Sequence, residues 1–163
     1  RHAGRGPTIA CDSERSIIMS AARQADCIFC KIIAGQIPSH RGYEDGHVFS
    51  LLDIGPVAKG HTLIIPKRHY VTIDQMPDKE AAACAAVLPT LSKAVAKAAG
   101  VEAWNVLQNN GKSAGQVVMH VHFHIIPRTE GDALGFRWPA GKLDDATAKE
   151  LMASITSSLP AQS

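Results

Sequence analysis

His120, His122 and His124 alternate with apolar residues in Met119-His120-Val121-His122-Phe123-His124-Ile125-Ile126, and Pro127 closes the stretch. Strict alternation is the pattern of a half-buried β-strand, in which side chains two apart share a face and stand about 6.5–7 Å from one another. It predicts a strand over residues 119–127, with Met119, Val121, Phe123 and Ile125 on one side and the three imidazoles in a row on the other. An imidazole titrates at about 6.5, so near neutral pH it is mostly uncharged and serves as nucleophile, proton carrier or metal ligand. Two chemistries compete for such a row. In one, the middle ring attacks phosphorus while its neighbours hold oxygens and pass protons. In the other, a His-x-His pair binds a catalytic zinc ion.

The loop before the stretch, Asn109-Asn110-Gly111-Lys112-Ser113-Ala114-Gly115-Gln116, is rich in glycine and amide side chains. Such a loop brings backbone N–H groups close to phosphate oxygens, which favours phosphate chemistry. Gly111-Lys112-Ser113 looks like the end of a P-loop, but that motif needs a glycine at position 106, where Val106 stands. A further reactive pair is Cys27-x-x-Cys30; the other cysteines are Cys11 and Cys84. With no secretory signal in view, a thiol or metal pair is the reading, not a structural disulfide.

The elements that must position these residues follow from pattern. Cys27 to Gly35 reads as a short helix closed by a C-terminal glycine, with Pro38 barring continuation. Residues 40–44 and 47–53 read as strands joined through Asp45-Gly46, a hairpin signal. Thr62-Leu63-Ile64-Ile65-Pro66 reads as a buried strand with a solvated basic exit at Lys67-Arg68-His69. The longest helix opens at Pro77-Asp78, with Asp78 as N-cap, and closes at Gly100. Its inward face is Cys84, Val87, Leu88, Leu91 and Val95, and Pro89 should kink or split it. Residues 103–108 read as a strand, and 144–158 as a tail helix with Ala148, Leu151, Met152, Ile155 and Leu159 on one face. His40 and His47 have no evident partner and read as surface. Hairpins outnumber crossovers, so the class is α+β: an antiparallel sheet with helices on one side.

The 163 residues carry 17 basic and 15 acidic side chains, a net charge of +2 that makes no case for a nucleic-acid or membrane surface. No apolar run approaches the ~18–20 residues of a membrane span. Residues 1–25 differ from the rest, with Arg1, Arg5, Arg15 and Arg23 among Gly, Pro and Ser, and read as a flexible extension. Met19, followed by Ser20-Ala21-Ala22, suits a natural start. A cytoplasmic location is expected; a mitochondrial leader is the alternative, against which Asp12 and Glu14 count.

His120-Val121-His122-Phe123-His124-Ile125-Ile126 resembles the signature of the histidine triad family of nucleotide hydrolases and transferases. Cys27-Ile28-Phe29-Cys30-Lys31-Ile32-Ile33, Asp53-Ile54, Gly60-His61-Thr62-Leu63-Ile64-Ile65-Pro66-Lys67-Arg68-His69, Asn109, Gly115-Gln116 and Pro127-Arg128 are similar to the family in the family's order. The region around Gly135-Phe136-Arg137-Trp138 resembles the bacterial and protist branch, and Trp138 is either a core anchor or a neighbour of a partner subunit's site. The resemblance implies five antiparallel strands, a core over 26–132, a C-terminal loop and helix over 133–163 in the same domain, and a homodimer with one continuous sheet.

It also implies roles. His122 would attack the α-phosphorus of a nucleotide, adenosine favoured, and form a nucleotidyl-histidine that water hydrolyses; no metal is needed for that step. His124, Gln116 and the backbone at Gly115 to Val117 would hold phosphate oxygens. Asp53 would bond the ribose, Ile54 would pack on the base, Asn109 would sit beside sugar and phosphate, and His61 would stand near the triad with His120. In some members, positions matching Cys27, Cys30, His69 and His120 hold a structural zinc. Many members carry Ser or Thr where this chain has Val117, so leaving-group preference is open. A dinucleoside polyphosphate hydrolase, a nucleotidyl transferase and a nucleotide-binding interaction protein with incidental turnover are the alternatives.

Overall fold

The computed structural model describes residues 24–135 and 140–160. The N-terminal extension up to residue 23 and Phe136-Arg137-Trp138 lie outside the described residues. Five strands form one antiparallel sheet: β1 (Arg41–Glu44), β2 (Val48–Leu52), β3 (Thr62–Pro66), β4 (Ala103–Gln108) and β5 (Phe123–Arg128), in spatial order β1-β2-β3-β5-β4. Pairing sets their faces. Ser50 lies opposite Ile64, Leu51 opposite Leu63, and Leu63 opposite His124. Two cores result, one on each face, as the period of two dictates.

On one face, Val48, Ile64, Val121, Phe123 and Ile125 pack with Cys84 of helix α2 (Asp78–Ala99), flanked by Val87, Leu88, Leu91 and Val95. On the other, Phe49, Leu51, Leu63 and Ile65 pack with Phe29 and Ile32 of helix α1 (Ile28–Ile33). Helices therefore lie on both faces, where one side was expected. A six-residue helix with only two inward apolar side chains leaves too weak a pattern to assign to a face from sequence.

Helix α2 runs unbroken through Pro89, which sits on its exposed side. The carbonyl that loses its N–H partner there is on the water side, so the helix is not split. Pro77, not Asp78, is its N-cap, and Gly100 closes it at φ 73°, a left-handed conformation that favours glycine. By length and hydropathy α2 also meets the test for a bilayer span, but its apolar stripe rests on the sheet and Lys79, Lys93 and Lys97 are exposed. Gly60, at φ 88°, brings the chain within 3.4 Å of Ala99 for any added Cβ, and so seats the following His61 at the start of β3.

The chain parts into two compact units between Asp132 and Ala133. In the second, helix α3 (Asp145–Ser158) is capped by the Asp144 carboxylate, which accepts from the Thr147 N–H at 3.0 Å. Its Leu151, Met152, Ile155 and the following Leu159 are all exposed.

Ile125 is fully buried between β3, β4 and α2. Truncation to Ala leaves a cavity as well as losing transfer energy, so Ile125→Ala should lower unfolding free energy by about 2–5 kcal/mol in urea denaturation.

Candidate active site and metal centre

The histidine stretch is not one strand. β5 begins only at Phe123; upstream, the His120 N–H bonds the Val118 carbonyl at 2.8 Å and the Val121 N–H bonds the Tyr70 carbonyl at 2.7 Å. These bonds turn residues 118–122 out of the sheet register. Even so, Val121, Phe123 and Ile125 pack on the α2 face and the three imidazoles lie on the other, with Phe29 against His120 and His122. Alternation is identical in a strand and in an extended bend, so sequence could not separate the two.

His120, with no exposed surface, turns toward α1. Its Nδ1 lies 3.4 Å from Cys27 Sγ, 3.7 Å from Cys30 Sγ and 3.2 Å from His69 Nδ1. Cys30 Sγ is 3.5 Å from His69 Nδ1. One donor atom from each of the four residues lies within 4.8 Å of the others. Local structure explains the convergence: Cys27 is the N-cap of α1, Cys30 sits one turn on, and His69 follows the end of β3. The His120 Nε2–H donates to the Pro66 carbonyl at 3.0 Å, so Nδ1 carries the lone pair facing the thiols. Burial holds the His69 ring neutral and pushes His120 down to about 4. Neutral imidazoles with their lone pairs converging on two thiols are the donor set of a tetrahedral zinc ion, and the Pro66 contact is the support such a ligand takes. The four residues fit the metal.

His122 lies outside the thiol cluster. Its Nδ1–H donates to the His120 carbonyl at 2.6 Å, which leaves Nε2 with a free lone pair. The edge of Phe29 meets the ring at 5.1 Å, and the His124 ring lies at 4.8 Å. His124 Nδ1 is 2.9 Å from His61 Nε2, and His61 Nδ1 is 3.4 Å from Asp53 Oδ2. Asp53, His61 and His124 thus form a line ending at the triad. Their donors also converge within 4.8 Å, but the two nitrogens of His61 point to opposite partners, which suits a shared proton better than an ion. Burial lowers the pKa of His122 and His61, and that of His124 to about 4; desolvation disfavours the charged ring. His120 and His122 are not ligands of one cluster among the described residues, so the His-x-His zinc hydrolase does not fit.

The preceding loop spends most of its polar groups on itself. The Gln116 side chain accepts from the Gly111 N–H at 2.7 Å and donates to the Val71 and Val118 carbonyls at 2.7 and 3.2 Å. The Gly115 and Gln116 N–H groups bond the Lys112 and Gly111 carbonyls. Gln116 shapes the loop, and its amide is not turned out as a free phosphate donor. Asn109 Nδ2 lies 3.7 Å from where a Cβ at Gly115 would stand. Ile54 is wholly exposed and Val117 is 89% exposed, each with its side chain uncovered. Sequence reading missed Phe29 as a wall of the site; its place inside Cys27-x-x-Cys30 was the available signal. It also missed the partner of His47, whose Nδ1 is 3.4 Å from Glu80 Oε1.

Residues 34–131 match the model of the HIT domain, well over half of the chain, and this protein belongs to the HIT-domain family. It is 47% identical over 117 residues to adenylylsulfatase HINT3 of Arabidopsis thaliana, a match covering 72% of this chain and 59% of that longer protein. It is 46% identical over 134 residues to the adenosine 5'-monophosphoramidase hnt1 of Schizosaccharomyces pombe, covering 82% of this chain and 98% of the relative. The crystal structure of a zinc-bound histidine triad family protein from Mycobacterium smegmatis is similar at a TM-score of 0.64 and 36% identity, over 81% of this chain and 94% of that one.

The depressed pKa of His124 has a stability consequence. In the unfolded chain its ring binds a proton below about 6.5, whereas the folded ring stays neutral down to about 4. Between those values the unfolded state holds more protons, so stability falls as pH falls, at up to about 1.4 kcal/mol per pH unit for this residue. Unfolding free energies across that window should show a shallower decline in His124→Asn.

Proposed function

We propose that this chain is a nucleotide hydrolase that releases a nucleoside 5'-monophosphate, with AMP favoured, from a small leaving group. The carrying observation is His122: a ring kept neutral by burial, its Nδ1–H committed to a carbonyl at 2.6 Å, its Nε2 lone pair free. A neutral, oriented imidazole is a competent nucleophile toward phosphorus. The Nε2–phosphorus bond forms as the bond to the leaving group breaks, and the leaving group departs with the electron pair. Water then attacks phosphorus and gives up a proton to solvent, the P–N bond breaks with its electron pair returning to Nε2, and neutral His122 is restored with its Nδ1–H in place.

The Val57 N–H donates to His61 Nδ1 at 3.4 Å, so His61 Nε2–H donates to His124 Nδ1 and the outward His124 Nε2–H donates toward a phosphate oxygen. Asp53 bonds the ribose, the uncovered Ile54 packs on the base, and Asn109 lies beside sugar and phosphate. Among the described residues the Val117 N–H makes no hydrogen bond, which leaves it available to phosphate beside the bend of Gly115 and Gln116. The names of the Schizosaccharomyces and Arabidopsis relatives support release of AMP. Val117 adds a second reading. It places no hydroxyl toward the leaving group, which favours anhydride substrates, dinucleoside polyphosphates among them, because a departing phosphate or sulfate needs no proton while an amine does.

Cys27, Cys30, His69 and His120 hold a structural zinc in this reading, supported by their converging donors and by the zinc-bound relative. When bound, it cross-links α1 to the bend before β5 and takes no part in phosphoryl transfer. The chain pairs as a homodimer through β4, an outer strand of the sheet on which Trp104 and Val106 are exposed.

Purified protein should release AMP from adenosine 5'-phosphoramidate or adenosine 5'-phosphosulfate. His122→Ala should lower the rate by ~10³-fold or more on both, while AMP binding by calorimetry persists. Retained turnover in the variant would sink the mechanism. Metal analysis should find one zinc per chain, and its removal should lower the melting temperature, because binding a folded-state ligand is folding free energy.

A further inference from the structure

The four ligands of the proposed metal centre are not held alike. Cys30 and His120 are buried at 3% and 0% exposure, and the His120 ring is pinned by the Pro66 carbonyl. Cys27 and His69 form the other edge, both only partly buried. Among the described residues the His69 Nε2 is buried with no hydrogen-bond partner, so no outer hydrogen bond there fixes the ring, and such bonds are what hold a metal-ligating histidine in place.

This loose edge opens on a pocket of about 320 Å³ whose walls include Gln24, Asp26, Cys27, His69, Val117 and Met119. Gln24, Asp26 and Val117 are exposed, so the pocket meets solvent. Its volume falls within the range that small ligands occupy. Asp26 supplies the one carboxylate of the lining, directly before Cys27, where it attracts a cation and offers it an oxygen donor.

We propose that a divalent metal of the zinc class enters and leaves the centre through this pocket while the protein stays folded. Exchange proceeds by ligand replacement at the Cys27 and His69 edge, with Asp26 as the transient ligand and a small thiol or nitrogen chelator as the incoming group. One metal–ligand bond breaks for each that forms, and no electron is transferred. The inference rests on the zinc reading above. Its consequence is that metal content follows the surrounding supply of metal and soft ligands, where a closed structural site would require unfolding.

The test uses the full-length, zinc-loaded protein mixed with the chromogenic chelator pyridylazoresorcinol under native conditions, with global unfolding followed by hydrogen exchange in the same buffer. Release should rise in direct proportion to chelator concentration and outrun global unfolding. The same chelator grafted to dextran, too bulky for the pocket, should collect zinc severalfold more slowly. Asp26→Asn should load and release zinc severalfold more slowly at unchanged final occupancy. A release rate independent of chelator concentration and equal to the unfolding rate would overturn the proposal and leave the zinc site standing. Unchanged rates in Asp26→Asn would remove Asp26 as the transient ligand. A protein that takes up no zinc would overturn both readings, an outcome that metal analysis separates from the others.

Discussion

The hydrogen bond from the Val121 N–H to the Tyr70 carbonyl, 2.7 Å long, governs what the three histidines do. Had a regular strand begun at residue 119, the rings would stand evenly about 6.5–7 Å apart. With the chain drawn to Tyr70 instead, His120 turns into the thiol cluster and His122 meets His124 at a centroid distance of 4.8 Å. One short motif thereby serves two centres, and the His120 residue links them: its side chain faces the thiols while its carbonyl orients His122.

Desolvation supplies the second constraint. Burying an imidazole without a partner is costly, and burying it charged costs more. Here each ring of the triad has a nitrogen with a defined neighbour: Pro66 for His120, the His120 carbonyl for His122, His61 for His124. The rings are consequently neutral and their lone pairs are aimed. Neutrality is what the proposed nucleophile and the proposed metal ligand would both require, so a single physical condition suits both chemistries.

The two faces of the sheet divide the labour. The α2 face is packing, centred on Ile64, Phe123, Ile125 and Cys84, whose buried thiol is pushed up to about 12 and is inert as a nucleophile. The α1 face carries Phe29, the triad imidazoles, Cys27 and Cys30. Because β3 and β5 contribute alternate residues to both, Ile64 and Ile125 anchor the same strands that present Leu63 and His124. Rigidity on one side holds geometry on the other.

Much of this was legible in the sequence. Thr62 to Pro66, Ala103 to Gln108 and the 22-residue α2 follow from apolar periodicity and from Pro77 and Gly100 as punctuation. The residues of both centres were legible as chemical types at motif spacing. Three things were not. The bend at 118–122 depends on the Tyr70 carbonyl, some 50 residues away in the chain, and nothing in the alternation encodes it. The placement of α1 opposite α2 depends on the sheet's two-sided register, which pairing alone decides. The approach of His47 to Glu80, and the donation of the Gln116 side chain to the Val71 carbonyl, are likewise contacts between segments. Local pattern determines which elements form and which residues carry chemistry; only tertiary hydrogen bonding and burial decide which way a histidine faces, and whether it holds a proton.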